Sequence, residues 1–304
     1  MVNKKNAPVV IEPGDAVISY SQFSMYQTCP HSWELAYIKG LRTKEPNIHL
    51  MFGTAMHETI QEWLAATYSG EPYKFDISDR LHLKMIGTFS NLITEYGEPF
   101  SSPDEMFEYY EDGVQILKQF LDAGMYDPSD TSLFGIETEI IVTPVESKPK
   151  VKLIGYLDYV LSMLNDTQFV ITDLKTSNKG WSDYQKKDRT KLSQLMIYKH
   201  YFAKIHKIKP SNVTAQYIIL SRKSSNKIEV FIPKQTPQFI KSVISELEDF
   251  VNYSFNDDGS YRVDAGYPAV SGYGYEKCRF CEFKDREDLC PVKSRIPHIE
   301  VLGK

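Results

Sequence analysis

Residues 152–176 of the chain read KLIGYLDYVLSMLNDTQFVITDLKT. Both halves of this stretch are apolar and rich in β-branched and aromatic residues, which predicts strands at about residues 152–164 and 167–176. Asn165 and Asp166 lie between the two halves, and this pair is typical of a tight turn. The stretch therefore predicts a β-hairpin.

The sequence on either side of this hairpin predicts helices and further strands. Amphipathic periodicity predicts helices at residues 18–41 (with a break near Cys29-Pro30), 52–70, 77–96, 103–124, 186–205 and 236–255. Short apolar runs predict strands at residues 134–144, 214–222 and 227–233. This order of elements favours an α/β fold, in which a mixed sheet follows a helical insertion.

The composition is that of an ordinary globular protein. The chain has 304 residues, 42% of them hydrophobic, and a formal net charge of −5. This charge excludes a uniformly basic surface, so any nucleic acid would have to contact a local basic groove. No stretch resembles a signal peptide or approaches the ~18 apolar residues of a membrane span. We expect a soluble, cytoplasmic protein that does not act at a membrane.

Charged side chains stand out within the hairpin. Asp173 and Lys175 lie two residues apart on a predicted strand, so their side chains share one face. A carboxylate can bind a divalent metal ion, and an ammonium group can stabilise charge on a phosphate or hold an attacking water. Alone, this pair is more often a solvated strand face or an ion pair. Asp158 strengthens the hypothesis, because an unpaired carboxylate in an otherwise apolar strand would be costly to bury.

Several short motifs together resemble the PD-(D/E)XK nuclease superfamily, in its RecB-like branch. They are Gly53-x-x-x-His57, Gly155-x-x-Asp158, Asp173-Leu174-Lys175-Thr176 and Gln194-x-x-x-Tyr198. The resemblance implies a restriction-endonuclease-like mixed β-sheet core flanked by helices. It also implies that Mg²⁺ or Mn²⁺ is bound by His57, Asp158, Asp173 and the backbone carbonyl of Leu174.

The same resemblance implies roles for other residues of the site. Lys175 would act on the water and the phosphate, and Glu137 would support the metal site. In this branch Gln194 and Tyr198 line the DNA side, and their spacing places them on one helix face. Without the other motifs, that face would be read as an ordinary half-buried one.

The four cysteines of the chain predict a metal centre. Cys278, Cys281 and Cys290 lie in one charged segment, and Cys29 lies some 250 residues upstream. In a reducing cytoplasm, four thiols favour a metal over disulfides. A 4Fe–4S cluster and a structural Zn²⁺ site both fit four thiolates, although zinc sites usually draw on two close pairs. Unrelated buried thiols are the remaining alternative.

The opening segment bears on this choice. SYSQFSMYQTCPHSWELAYIKGL, residues 19–41, resembles the iron–sulfur RecB-like nucleases, which include the CRISPR-associated nuclease of spacer acquisition and the nuclease domain of AddB. That resemblance implies a 4Fe–4S cluster formed by one cysteine before the core and three in a C-terminal loop. Zinc stays open as the alternative.

The domain organisation follows from these motifs. We expect an N-terminal tail at residues 1–17 and a single nuclease domain at residues 18–304. Within the domain we distinguish the helices with the cysteine and histidine at 18–70, the helical insertion at 71–130, the nuclease core at 131–235, and the C-terminal helix and cysteine region at 236–304.

A basic stretch with an aromatic residue follows the Asp-x-Lys motif and predicts DNA contact. Aromatic rings among cations suit single-stranded DNA, because bases stack on them. For any single lysine, a solvated loop is the more common explanation. The predicted DNA-binding residues are Lys179, Trp181, Lys186, Lys187 and Arg189, together with Gln194 and Tyr198.

These features predict a metal-dependent DNA exonuclease that hydrolyses phosphodiester bonds in single-stranded DNA or at DNA ends. Recombination, repair and phage DNA metabolism are the expected settings, in a prokaryotic or phage-infected cell. A helicase, a recombinase or a single-strand-binding protein would be a suitable partner. The alternatives are a non-catalytic DNA-binding or scaffolding subunit and a structure-specific endonuclease.

Overall fold

A computed structural model of the protein describes residues 9–43, 45–71, 76–124 and 126–296, with the backbone alone at residues 273–275. The first part of the chain forms a short strand and then helices. These are β1 (Ala16–Ser19), α1 (Tyr20–Thr28), α2 (Pro30–Trp33) with a π-helical turn at Glu34–Ile38, α3 (Ile48–Tyr68), α4 (Ile77–Tyr96) and α5 (Pro103–Asp122).

The second part of the chain supplies most of the sheet. Its elements are β2 (Thr131–Val142), β3 (Val151–Met163), β4 (Gln168–Ser177), α6 (Asp183–Lys186), α7 (Arg189–His206), β5 (Val213–Ser221), β6 (Ile228–Phe231) and α8 (Pro237–Ser254). A short 3₁₀ turn lies between α7 and β5 at Pro210–Asn212, and two more follow α8 at Tyr273–Cys278 and Val292–Ser294.

Strand β3 lies at the centre of the sheet. Within the described residues, six strands form one mixed sheet in the order β1-β3-β4-β5-β6, and β2 also pairs with β3. Along one edge β3 pairs antiparallel with β2. Its other edge pairs with parallel β1 at residues 151–154 and with antiparallel β4 at residues 159–163. Residues 155–158 therefore lie where β4 diverges from β3, and no strand among the described residues covers that edge.

The predicted hairpin is confirmed. β3 and β4 pair from Tyr159 and Thr172 to Met163 and Gln168. The turn residues Leu164, Asn165 and Asp166 have φ values of 53°, 54° and 60°. Asparagine and aspartate tolerate this left-handed region better than most residues, which explains the turn signal in the sequence.

The beginning of the chain differs from its sequence prediction. β1 was not predicted, because it is only four residues long and pairs with a strand more than 130 residues away. The first helix begins at Tyr20, where the Ser19 hydroxyl accepts a hydrogen bond from the backbone N–H of Gln22 (3.4 Å). The predicted break is present, since Cys29 is extended (φ −158°) and Pro30 starts α2.

The sheet separates two apolar layers. Helices α1, α7 and α8 cover one face, with Tyr201 and Phe250 fully or almost fully buried there. Helices α3, α4 and α5 cover the other face, around Met56, Leu81 and Phe120. The predicted mixed sheet with flanking helices is thereby confirmed. None of the described helices has the length and apolar character needed to cross a membrane.

Candidate active site

Asp158 lies at the point where β4 separates from β3. Strand pairing between them ends at Tyr159 and Thr172. Beyond that point the backbone N–H of Leu174 donates to Asp158 Oδ2 over 2.6 Å. The Asp158 carboxylate thus accepts the hydrogen bond that a paired strand would accept from Leu174. This hydrogen bond holds Asp158 beside β4.

Asp173 is 3% exposed and has polar partners on both of its oxygens. Gln194 Nε2, on α7, donates to Asp173 Oδ1 over 2.9 Å. Lys175 Nζ lies 2.5 Å from Asp173 Oδ2, as expected for side chains that share one face of a strand. Gln194 also donates to the hydroxyl of Tyr198 over 3.0 Å. The structure therefore brings the Asp-x-Lys motif and the Gln-x-x-x-Tyr motif together.

The two carboxylates have different electrostatic environments. Burial raises the pKa of Asp173 to about 6; the Lys175 ammonium works against this rise and the Asp158 charge adds to it. Burial would also raise the pKa of Asp158, but hydrogen bonding and charge from His57 and the Leu174 N–H outweigh it and hold that pKa below its ordinary value. Carboxylates whose pKa values are pushed apart in one site are typical of catalytic centres.

Helix α3 contributes His57 and, one turn later, Gln61. His57 Nδ1 lies 3.5 Å from Asp158 Oδ2. Gln61 Nε2 donates to the backbone carbonyl of Asp158 (3.1 Å) and to Glu137 Oε1 (2.5 Å). Gln61 was not predicted from the sequence, although its four-residue spacing from His57 places both on one helix face.

Glu137 lies on β2, next to the site. The flanking pairs Ile136–Tyr159 and Thr138–Leu157 place it opposite Asp158. Its φ of 46° is in the left-handed region, which is rare and strained for a non-glycine residue in a strand. Strained backbone tends to persist at functional sites, where the surrounding contacts hold it.

The glycines of two motifs allow close packing around the carboxylates. A Cβ atom on Gly155 would lie 2.9 Å from Tyr198 Cε1, so the ring packs directly on β3. A Cβ atom on Gly53 would lie 3.2 Å from Thr176 Oγ1, where α3 approaches β4. Both glycines therefore permit helices that carry site residues to approach the sheet.

The donor chemistry of the site fits a hard divalent cation. Mg²⁺ and Mn²⁺ prefer carboxylate oxygens, which Asp158 and Asp173 supply, and His57 adds an imidazole nitrogen. Within the described ranges, however, no three His, Cys, Asp or Glu side chains are arranged as a metal site. Lys175 Nζ pairs with the Asp173 carboxylate, so metal binding would require this ammonium to withdraw.

The predicted DNA-binding residues differ in exposure and in the partners they contact. Lys179 and Lys187 are exposed. Lys186 pairs with Glu229, and Arg189 pairs with Glu246 of α8. The sequence could not reveal these acidic partners, because they lie more than 40 residues away along the chain. Trp181 is half-buried and packs on Tyr217, with ring centroids 4.9 Å apart.

All four cysteines line one pocket, and all are free thiols. Residues from the two ends of the described chain meet there, since Cys29 Sγ accepts a hydrogen bond from the backbone N–H of Val270 over 3.3 Å. Burial raises the pKa of Cys29 and of Cys278. In the described part of the chain, no three of the cysteines take the arrangement of metal ligands.

Comparison with known proteins identifies the family. A model of the PD-(D/E)XK nuclease superfamily matches residues 17–290, and the chain therefore belongs to this superfamily. Its members are nucleases that generally use Mg²⁺ or Mn²⁺. No curated protein matches the chain.

Two solved structures show distant similarity. A candidate exonuclease from Eubacterium rectale is 9% identical, with a TM-score of 0.46, and the match covers 78% of each chain. The protein SSO0001 is 14% identical, with a TM-score of 0.31, and the match covers 90% of this chain and 96% of that one. Neither similarity is high enough to carry an argument about activity.

Proposed function

We propose that the protein is a metal-dependent deoxyribonuclease of the RecB-like branch, acting as an exonuclease on single-stranded DNA or DNA ends. The observation that carries this proposal is the contact of Lys175 Nζ with the buried Asp173 carboxylate, beside Asp158 and His57. Family membership supports the nuclease activity, and the motif resemblance supports the branch. Recombination, repair or phage DNA metabolism, in the cytoplasm of a prokaryotic or phage-infected cell, is the proposed setting.

The residues of the site have distinct roles in the proposed reaction. Asp158, Asp173 and His57 would hold the divalent cation, with the Leu174 carbonyl as a further ligand. When bound, the cation supplies Lewis-acid charge at the phosphate. The Leu174 N–H and Gln194 fix the two carboxylates before substrate arrives, which lowers the cost of reorganisation. Lys175, released from Asp173, neutralises charge on the phosphate and holds the attacking water.

We also propose that the four cysteines hold a 4Fe–4S cluster, with Zn²⁺ as the alternative. Their shared pocket and free thiols support this assignment. Lys277 and Arg295 line the same pocket, and their positive charge would offset that of four thiolates. The role of the cluster would be structural, because the carboxylates and Lys175 carry the proposed chemistry. DNA is the proposed partner, together with a helicase, a recombinase or a single-strand-binding protein.

The test is degradation of labelled linear single-stranded DNA with Mn²⁺. We expect the wild type to digest it and Lys175→Ala to be slower by roughly 100-fold or more, the usual effect of removing one transition-state-stabilising group. Lys204→Ala, at the far end of α7, is the matched control and should digest at the wild-type rate. No digestion by the wild type, or equal digestion by Lys175→Ala, would contradict the proposal and favour a non-catalytic DNA-binding or scaffolding subunit.

The mode of cutting needs a second substrate. A circular single strand has no end, so an exonuclease should leave it intact while it digests the linear form. Cutting of the circle would favour the structure-specific endonuclease instead.

A further inference from the structure

An open pocket of about 190 Å³ lies beside Lys175, on the side of the sheet covered by α1 and α7. We call it the side pocket. On the same scale a cavity admits one water molecule at roughly 10–15 Å³, so the side pocket has room for a larger group. It is lined by Tyr20 and Ser24 of α1, by Trp181, and by Asp188 and Lys191 at the start of α7.

Trp181 gives the side pocket an aromatic wall. Tyr217 packs against the indole in a T-shaped arrangement, with ring centroids 4.9 Å apart. Lys191 Nζ lies 4.9 Å from the centroid of the Trp181 ring. The indole is therefore held in place by the core of the protein, while the Lys191 ammonium lies over one face of its ring. Rigid aromatic rings next to lysines are typical of sites that bind single-stranded nucleic acid.

Tyr20 gives the side pocket a polar group that needs a partner. Its hydroxyl is buried and has no hydrogen-bond partner among the described residues. The neighbouring Ser24 hydroxyl lies close enough to lower the pKa of Tyr20 in part, but it makes no hydrogen bond of ordinary geometry with it. Burial raises the pKa of Tyr20 far above its ordinary value, so the hydroxyl keeps its proton and can donate. A buried polar group without a partner is unfavourable, and a polar atom of a ligand would satisfy it.

These groups select among ligands. The Tyr20 and Ser24 hydroxyls and the Asp188 carboxylate offer donors and acceptors to the edge of a planar ring, and Trp181 offers the face. Lys191 and Lys175 offer positive charge to the attached phosphate. A free phosphate would use only the lysines. The combination fits a nucleotide, whose base has both an aromatic face and a hydrogen-bonding edge.

We infer that the side pocket receives one unpaired base of the strand that is cut. This inference rests on the proposed function and specifies its substrate. A base inside a duplex is stacked and paired, so it must leave the helix before it can enter such a pocket. The DNA must therefore be single-stranded, or locally melted, at this nucleotide.

The test is a scan with abasic nucleotides. A single base is removed at successive positions of a short single strand, and the first cleavage event is timed with enzyme in excess. With the wild type, removal of the base at one position relative to the cut should slow cleavage about tenfold, within the usual range for one stacked base. Trp181→Ala should slow cleavage of the intact strand by a similar factor and should no longer respond to the missing base. Trp181→Phe, which keeps a ring, should retain most of the effect.

Controls separate the side pocket from general damage. Phe107→Ala removes an exposed aromatic ring from α5, outside the side pocket, and should behave as the wild type does. A flat abasic scan with an active wild type, or a Trp181→Ala enzyme that still responds to the same missing base, would overturn the inference and leave the nuclease proposal intact.

A binding measurement tests the side pocket without cleavage. The chain has three tryptophans, so its fluorescence can be followed in Ca²⁺, which replaces the catalytic metal. An intact single strand should quench this fluorescence, an abasic strand should quench it less, and Trp181→Phe should abolish the difference. This result would support the side pocket even if no DNA were cut, whereas equal quenching by both strands would count against it.

Discussion

Asp173 is an acidic residue held where its charged form is poorly solvated. Its pKa of about 6 in the folded protein exceeds the ordinary value of 3.8. The fold therefore gains stability from the protonated form at low pH and loses it as the pH rises from about 4 to about 6. In metal-free protein above pH 6, Asp173→Asn should raise the free energy of unfolding by about 1–3 kcal/mol, and this gain should disappear near pH 4.

Urea unfolding with a chelator, at several pH values from 4 to 8, measures this difference. Asp183→Asn is the control, because Asp183 is an exposed aspartate and the exchange there should change stability little at any pH. A constant difference between Asp173→Asn and wild type across the pH range would show that burial does not shift the proton equilibrium of Asp173.

At the scale of single residues, the sequence reveals which side chains share a face but not which partners reach them. The two-residue period of a strand was sufficient to place Asp173 beside Lys175. The strand period did not reveal Gln61, which contacts Asp158 from helix α3. It also did not reveal the buried hydroxyl of Tyr20. Such contacts depend on how helices pack on the sheet, which periodicity alone does not determine.

At the scale of elements, the approach of α7 to β3 depends on the absence of a side chain at Gly155. A methyl group there would lie 2.9 Å from Tyr198 Cε1. Gly155→Ala should therefore lower the free energy of unfolding by about 1–3 kcal/mol, the usual cost of overpacking a core. Because Tyr198 accepts a hydrogen bond from Gln194, cleavage of DNA should slow as well.

Thermal unfolding and the rate of digestion measure the two effects of Gly155→Ala. Gly87→Ala is the matched control, since Gly87 lies in α4 with nothing within 4 Å of an added Cβ. Alanine there should stabilise the helix slightly. If Gly155→Ala unfolds at the wild-type temperature, the packing of Tyr198 on β3 is not required for stability.

The elements themselves were predictable to different degrees. Long amphipathic helices such as α4 (Ile77–Tyr96) and α5 (Pro103–Asp122) repeat their apolar pattern over several turns, so their limits were close to those predicted from the sequence. β1 carries too few residues for any period and owes its conformation to β3. The sequence also did not predict where β4 diverges from β3, because strand register depends on tertiary contacts.

At the scale of the whole molecule, the proposed cluster would join distant parts of the chain. Cys29 and the segment with Cys278, Cys281 and Cys290 line one pocket although they are almost 250 residues apart. The sequence suggested this meeting through the number and type of the residues and through the resemblance of residues 19–41 to iron–sulfur nucleases. Other contacts cross the same boundary. His31 Nε2 lies 2.9 Å from the backbone carbonyl oxygen of Leu289, and Thr43 N and Oγ1 donate to Glu282 Oε2 over 3.0 and 3.1 Å.

Replacement of one cysteine should therefore weaken the whole fold. A metal bound only by the folded state contributes to folding, and this contribution is lost with a ligand. We expect anaerobically purified wild type to be brown and to contain iron, and Cys29→Ser to lose both colour and iron. Its melting temperature should fall by about 3 °C, the shift for a loss on the order of 2 kcal/mol in a protein of 304 residues.

Lys175→Ala is the natural control for this loss, because it should slow digestion by roughly 100-fold or more while keeping the iron and the colour. Cys29→Ser should show the reverse pattern: its iron content and its melting temperature should fall. If the wild type contains zinc and no iron, the four cysteines form the alternative Zn²⁺ site, and the role of the metal remains structural. If the wild type is purified with neither iron nor zinc and melts at the same temperature as Cys29→Ser, the four thiols are ordinary buried residues.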